Sequence, residues 1–140
     1  MGVDARPVPA PDETTAFYWE GAAAGKLLVQ KCAACGRMQY PPDVVCTWCQ
    51  ALDLEVVESS GRGKLYSFAV VDRPFHPAFV DAIPYVVGLV DLDDQDGLRL
   101  LTNIVGGEPM DLVVGAAVEV VFEQRGQVTL PQFRPTEAPR

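Results

Sequence analysis

Three observations predict a mainly β protein, with one short helix and a metal-binding ribbon ahead of a small closed barrel. Two Cys-x-x-Cys pairs, Cys32/Cys35 and Cys46/Cys49, stand ten residues apart. From Gly61 onward, apolar runs with strand-like patterning are separated by turn residues. The helix signal is confined to a short stretch from about Thr15 to Ala24, ahead of Gly25.

Composition agrees with a folded, water-soluble chain. Hydrophobic residues make up 49% and charged residues 21% of 140, which excludes a disordered polyelectrolyte. No apolar run approaches the ~20 residues needed to cross a bilayer, so no membrane association is expected. Met1 to Glu13 lacks an apolar stretch of the secretory kind, and a reducing cytoplasm is the expected location. The formal net charge of −8 is unevenly spread, at −3 over residues 1–25, +1 over 26–73 and −6 over 74–140. An acidic barrel repels a phosphate backbone, so no nucleic-acid partner is expected. The central segment alone suits an anionic ligand.

Along the chain, residues 1–14 read as a flexible N-terminal arm with Pro7, Pro9 and Pro11. Residues 15–60 hold the helix and the ribbon, 61–135 the barrel, and 136–140 a tail. Thr14 or Thr15 is expected to cap the helix and Gly25 to close it. Phe17, Tyr18 and Trp19 are consecutive, so they cannot all share one helical face. Two of them packing on the core is the plainer expectation. The sharper one sends Phe17 or Trp19 to a partner protein.

Gly61-Arg62-Gly63 reads as a flexible entry to the barrel. Lys64 to Val71 sets Leu65, Ser67, Ala69 and Val71 against Tyr66, Phe68 and Val70. Pro84 to Leu92 is almost continuously apolar. Asp93 to Gly97 is a polar turn, and Leu98 to Ile104 is the returning strand. Ala116 to Glu123 turns Val118, Val120 and Phe122 inward, and Gly126 to Phe133 is the last strand. Five strands joined by short turns fit a barrel of the OB kind better than a sandwich. The strand at Pro84–Leu92 offers apolar groups on both faces. A barrel interior covers only one, leaving the other to the helix or to a partner.

The cysteine spacing is the strongest chemical signal. Two residues between ligands let one tight turn direct both sulfurs to one metal at ~2.3 Å, and two such turns close a tetrahedron. Cys32, Cys35, Cys46 and Cys49 are therefore expected to hold a structural Zn2+, worth on the order of 10 kcal/mol of folding energy. Disulfide, redox and iron readings are weaker. Gly36 follows the first pair and Gln50 the second, so the second knuckle is expected to be less regular. With all four cysteines committed, none remains as a nucleophile. His76, the only histidine, lies between Phe75 and Pro77 in a long loop, and no nucleophile-elbow sequence accompanies it.

The order of motifs resembles a known family. Phe17-Tyr18-Trp19-Glu20-Gly21, Gly25-Lys26-Leu27, Cys32-x-x-Cys35-Gly36, Tyr40-Pro41-Pro42 and Cys46-x-x-Cys49 come first. Gly61-Arg62-Gly63, Tyr66-Ser67-Phe68, Arg73-Pro74-Phe75-His76-Pro77, Pro84-Tyr85-Val86-Val87, Asn103-Ile104-Val105-Gly106 and Val118-Glu119-Val120 follow. Together they resemble the OB-fold acyl-CoA-associated family with a rubredoxin-like zinc ribbon, domain of unknown function thirty-five, over residues 15–135. Thr47 and Gln50 stand where that family often has proline and glycine.

The resemblance implies a non-catalytic accessory subunit of a thiolase-like protein: a thiolase, a condensing enzyme or a retro-aldolase of steroid side-chain degradation. It implies a two-plus-two heterotetramer, acyl-CoA met indirectly, and catalytic residues on the partner. Candidate partner or ligand contacts are Phe17, Trp19, Arg73, Phe75, His76, Phe79 and Tyr85. Candidate contacts to the phosphates of CoA are Lys31, Arg37, Arg62 and Lys64, among the basic residues of the central segment. A nucleic-acid-binding ribbon and barrel, and a stand-alone acyl-CoA binder, are the alternative readings.

Overall fold

A computed structural model describes residues 5–136. The outer ends of the arm and tail, residues 1–4 and 137–140, lie outside the described residues.

The single α-helix among the described residues, α1, spans Ala16–Ala23. Thr15 occupies the cap position but makes no side-chain capping bond to the helix. Asp12 organises this turn instead. Its carbonyl accepts from the Ala16 N–H at 2.8 Å, and its Oδ1 accepts from the Thr15 N–H at 2.9 Å and the Thr15 hydroxyl at 3.1 Å. These bonds to the ionised form, the Thr15 N–H foremost, hold the Asp12 carboxyl below the usual range. The helix closes at Gly25, where Lys26 N–H reaches the Gly21 carbonyl at 2.8 Å.

Three antiparallel strands build the ribbon: β1 (Leu28–Cys32), β2 (Met38–Gln39) and β3 (Leu54–Glu58), in the order β2-β1-β3. Five more close the barrel: β4 (Arg62–Val71), β5 (Tyr85–Leu92), β6 (Arg99–Ile104), β7 (Ala117–Arg125) and β8 (Val128–Pro135). Their order is β4-β5-β6-β8-β7, with β7 returning to β4 and a parallel contact where Ile104 of β6 meets Phe133 of β8. This is the five-stranded OB arrangement expected from the strand count.

One apolar core spans both parts. Leu27 and Val29 from the ribbon side, Tyr18 from α1, and Leu65, Val90, Leu100, Val118 and Phe133 from the barrel belong to it. Phe17 and Trp19 are half-buried against the same core, so all three consecutive aromatics touch it. They can do so because α1 packs against β1, β7 and β8. A helix flanked by the ribbon and the barrel has more than one face to bury.

Two local readings are corrected. Gly61-Arg62-Gly63 is not a flexible entry, since Arg62 and Gly63 pair in register with Glu119 and Val118. Gly63 is needed for close approach, because a Cβ there would collide with the Asp91 carbonyl oxygen. In β4 the simple alternation fails at a β-bulge, where Leu65 pairs with Val90 and Ser67 with Leu89, leaving Tyr66 as the extra residue. The bulge puts Phe68 rather than Ser67 against the core. Tyr66 stays exposed, with the Arg99 guanidinium 3.7 Å from its ring centroid.

On β5, Val86, Val90 and Leu92 face the interior, while Tyr85, Val87 and Leu89 remain half-exposed on the other side. Since α1 lies against β1, β7 and β8, it does not serve as the cover for that outer face.

The turn after β5 joins the two parts. The Asp94 carboxylate accepts from the Ser59 hydroxyl at 2.7 Å and the Ser60 N–H at 2.9 Å. The Gln95 amide accepts from Met38 N–H at 2.7 Å and donates to the Met38 carbonyl at 2.9 Å. One side chain thus imitates a paired strand along the edge of β2.

Candidate metal centre and surface sites

The two knuckles repeat one another. In the first, Gly36 N–H donates to the Cys32 carbonyl at 2.8 Å and Cys32 N–H to the Arg37 carbonyl at 2.9 Å. In the second, Gln50 N–H donates to the Cys46 carbonyl at 2.9 Å and Cys46 N–H to the Ala51 carbonyl at 2.9 Å. Gly36 has φ 78° and Gln50 φ 64°, so the second knuckle keeps the regular shape despite lacking glycine. Among the described residues, Gln50 is the non-glycine residue with positive φ.

The four Sγ atoms lie within 4.8 Å of one another. Cys32 to Cys49 and Cys35 to Cys46 are each 3.7 Å apart. Sulfurs ~2.3 Å from a tetrahedral Zn2+ stand about 3.8 Å apart, whereas a disulfide needs about 2.05 Å. The donor set therefore fits zinc, and its geometry is that of one four-sulfur site rather than two bonded pairs. Cys32 and Cys46 are buried, while Cys35 and Cys49 are exposed. Burial opposes ionisation of Cys46, but N–H groups of Cys49 and Trp48 directed at its sulfur bring the thiol down to about 6. A closed site of this kind supplies folding energy and no open coordination position.

A buried polar network that the cysteine spacing does not announce supports the second knuckle. The Gln39 Oε1 accepts from Thr47 N–H at 2.8 Å, and its Nε2 donates to Gln30 Oε1 at 2.9 Å and to the Val45 carbonyl at 3.1 Å. Gln30 in turn accepts from Asp43 N–H at 2.9 Å and donates to the Asp43 carbonyl at 2.8 Å. Two amides thereby fix the loop that carries Cys46. The available signal was a pair of glutamines in strand positions otherwise suited to apolar residues.

The loop between β4 and β5 is ordered by its own aromatics. His76 Nδ1 accepts from the Ala78 N–H at 3.0 Å and so caps a 3-10 turn at Pro77–Phe79. Phe79 stands between the His76 ring at 6.1 Å and the Tyr85 ring at 5.5 Å. Phe79 and Tyr85 are half-buried, Arg73 and His76 are exposed, and Phe75 is 83% exposed. The structure therefore gathers His76, Phe79 and Tyr85 and leaves Phe75 projecting into solvent.

The four basic candidates divide into two pairs. Lys31 and Arg37 belong to the ribbon, where the Arg37 guanidinium lies 4.5 Å from the Trp48 ring centroid. Arg62 and Lys64 lie on β4 beside Asp93 and Glu119, with Lys64 3.9 Å from the Asp93 carboxylate. No helix among the described residues is long and apolar enough to cross a membrane.

Comparison with known proteins matches this architecture part by part. Residues 19–55 match the rubredoxin-like zinc ribbon domain of ChsH2, and residues 56–123 match the ChsH2 C-terminal OB-fold domain. The chain is 42% identical over 131 residues to the probable enoyl-CoA hydratase alpha subunit of Thermomonospora curvata, covering 93% of this chain and 40% of that protein. It is 36% identical over 132 residues to the benzoylsuccinyl-CoA thiolase subunit BbsA of Thauera aromatica, covering 89% of this chain and 80% of that one. Among solved structures, the Ltp2-ChsH2(DUF35) aldolase contains a chain that is 40% identical, with a TM-score of 0.81 and coverage of 91% of this chain and 98% of that one. The chain thus spans about two fifths of the hydratase alpha subunit's length. Ribbon, barrel and four-cysteine site together place it in the DUF35 family of ChsH2-type zinc-ribbon and OB-fold proteins.

Proposed function

We propose that this chain is a non-catalytic accessory unit of a thiolase-like enzyme acting on acyl-CoA. Its role is to scaffold the larger partner and help shape the acyl-CoA site, while carbon–carbon bond chemistry stays on that partner. The observation that carries this reading is the apolar surface around the loop between β4 and β5. Phe75 projects there, and Val87 and Leu89 lie on the uncovered side of β5 beside Leu101, which is 64% exposed. Aromatic anchors of this kind dominate the energetics of protein interfaces. The names of BbsA, a thiolase subunit, and of the Ltp2-ChsH2 aldolase support the same reading.

The residues on hand agree with a non-catalytic role. The four cysteines form the metal site, and His76 spends Nδ1 on its own backbone turn. Replacing His76 with Ala is therefore expected to leave turnover of the assembled enzyme within a few fold of the parent. A loss of about 100-fold, the scale of a missing acid–base group, would overturn this assignment. In the proposed assembly two copies of this chain flank a partner dimer, Phe75, Phe79, Arg73 and Tyr85 line the contact, and Lys31, Arg37, Arg62 and Lys64 are available to CoA phosphates. The test is purification of the tagged chain from its native host, with identification of what co-elutes. A thiolase-like protein in near-equal amount is expected. The chain eluting alone, zinc-loaded and stable, would sink the proposal.

A further inference from the structure

A pocket of about 660 Å³ opens where the start of β5, the end of β6 and the neighbouring parts of β7 and β8 meet. That size falls within the range of small-molecule sites. One wall is aromatic and apolar, formed by Phe79, Tyr85, Val86 and Ile104. Arg125 and Gln132 also line the pocket.

The two polar groups differ. Arg125 donates from both Nε and Nη2 to one Glu123 oxygen, at 3.0 and 2.8 Å, and Arg6 approaches the same oxygen at 3.5 Å. These three form an ion-paired cluster. Gln132 is only 3% exposed, yet its side-chain amide makes no hydrogen bond among the described residues. It is not sealed in the core either, because it borders the pocket. Among the described residues no buried side-chain nitrogen or oxygen lacks a hydrogen-bond partner, so the Gln132 amide is open to the pocket, where a ligand can take the place of solvent.

We propose that this pocket is a binding site for a neutral, largely apolar small molecule bearing a carbonyl or carboxamide group. Its polar group hydrogen-bonds to the Gln132 amide, and its apolar body lies against Phe79 and Tyr85. A neutral ligand is favoured over an anion because Glu123 and Glu108 border the same space as the arginines. Phe79 and Tyr85 also belong to the partner contact proposed above, so the pocket is tested on the chain without a partner, where its failure is distinct from failure of the accessory-subunit reading.

The test uses the zinc-loaded full chain and the neutral naphthyl ketone Prodan, whose emission reports its surroundings. Saturable binding at one probe per chain is expected. Gly107 borders the pocket, its φ is not positive, and a Cβ built there meets nothing within 4 Å. Gly107→Trp is thus expected to fold normally and abolish binding by filling the mouth. Gln132→Leu keeps the volume but removes the hydrogen bond, and is expected to weaken binding about tenfold. Absence of saturable binding in the parent chain, or equal binding by folded Gly107→Trp, overturns the proposal. Undiminished binding by Gln132→Leu overturns the role given to the amide.

Discussion

At the scale of single residues, the metal site joins a requirement to a local cost. Each sulfur is one of four corners, so loss of any one leaves an incomplete tetrahedron. Replacing Cys32 with Ser is expected to lower zinc content below one per chain and melt the ribbon, as read by metal analysis and circular dichroism. A folded, metal-free variant would refute the structural role. Gln50 bears the cost. It holds φ 64° in the knuckle where its counterpart is Gly36, and a side chain in that region costs on the order of 1 kcal/mol. Gln50→Gly is expected to raise the stability of the zinc-loaded protein by about 0.5–1 kcal/mol in urea titration, because the strain outweighs the greater freedom of glycine in the unfolded chain. A destabilised variant would show that the strain is relieved in some other way. The equivalence of Gly36 and Gln50 was visible as two knuckles in register. That the second would be regular was not, because the backbone angle is imposed by the shared metal geometry.

At the scale of elements, strand and ribbon positions were legible for a simple reason. Burial of one face writes a two-residue period into a strand, and one metal writes fixed spacing into its ligands. The bulge at Tyr66 was not legible, since an inserted residue is defined by its partners Val90 and Leu89 rather than by its own run. The contact of Gln95 with Met38 was hidden more deeply. It links a turn to an edge strand 57 positions away, and no periodicity marks it. Its two hydrogen bonds are expected to contribute about 1–2 kcal/mol together. Gln95→Ala should lose that amount in urea unfolding of the zinc-loaded chain, with ribbon signals shifting most in its NMR spectrum. A change within a few tenths of a kcal/mol would mean that the shared core alone fixes the ribbon to the barrel.

For the whole molecule, the question is which apolar surface belongs to the fold and which to a partner. Tyr18 belongs to the fold, buried in a core common to ribbon and barrel, while Phe17 and Trp19 pack against that core and stay partly open to solvent. Burial, together with the nearby Tyr40 hydroxyl, keeps the Tyr18 phenol well above its usual range, as expected for a ring fixed inside. Phe75, at 83% exposure, contributes little packing of its own. Phe75→Ala is therefore expected to change the melting temperature by no more than a degree or two while weakening partner affinity tenfold or more in titration with the purified partner. A destabilised chain with unchanged affinity would assign that side chain to the fold instead.

The sequence by itself determined the metal ligands, the OB-type strand series and the family. Each rests on local spacing or on a linear order of motifs, and both survive without coordinates. Only the tertiary structure decided that α1 lies against β1, β7 and β8, leaving the outer face of β5 uncovered by it. Only it set Gln30 and Gln39 behind the second knuckle and brought Gln132, Phe79 and Tyr85 to one pocket. These arrangements join residues far apart in the chain. The strands that bring them together are specified by burial, and burial says which face turns inward but not which distant polar group it will meet.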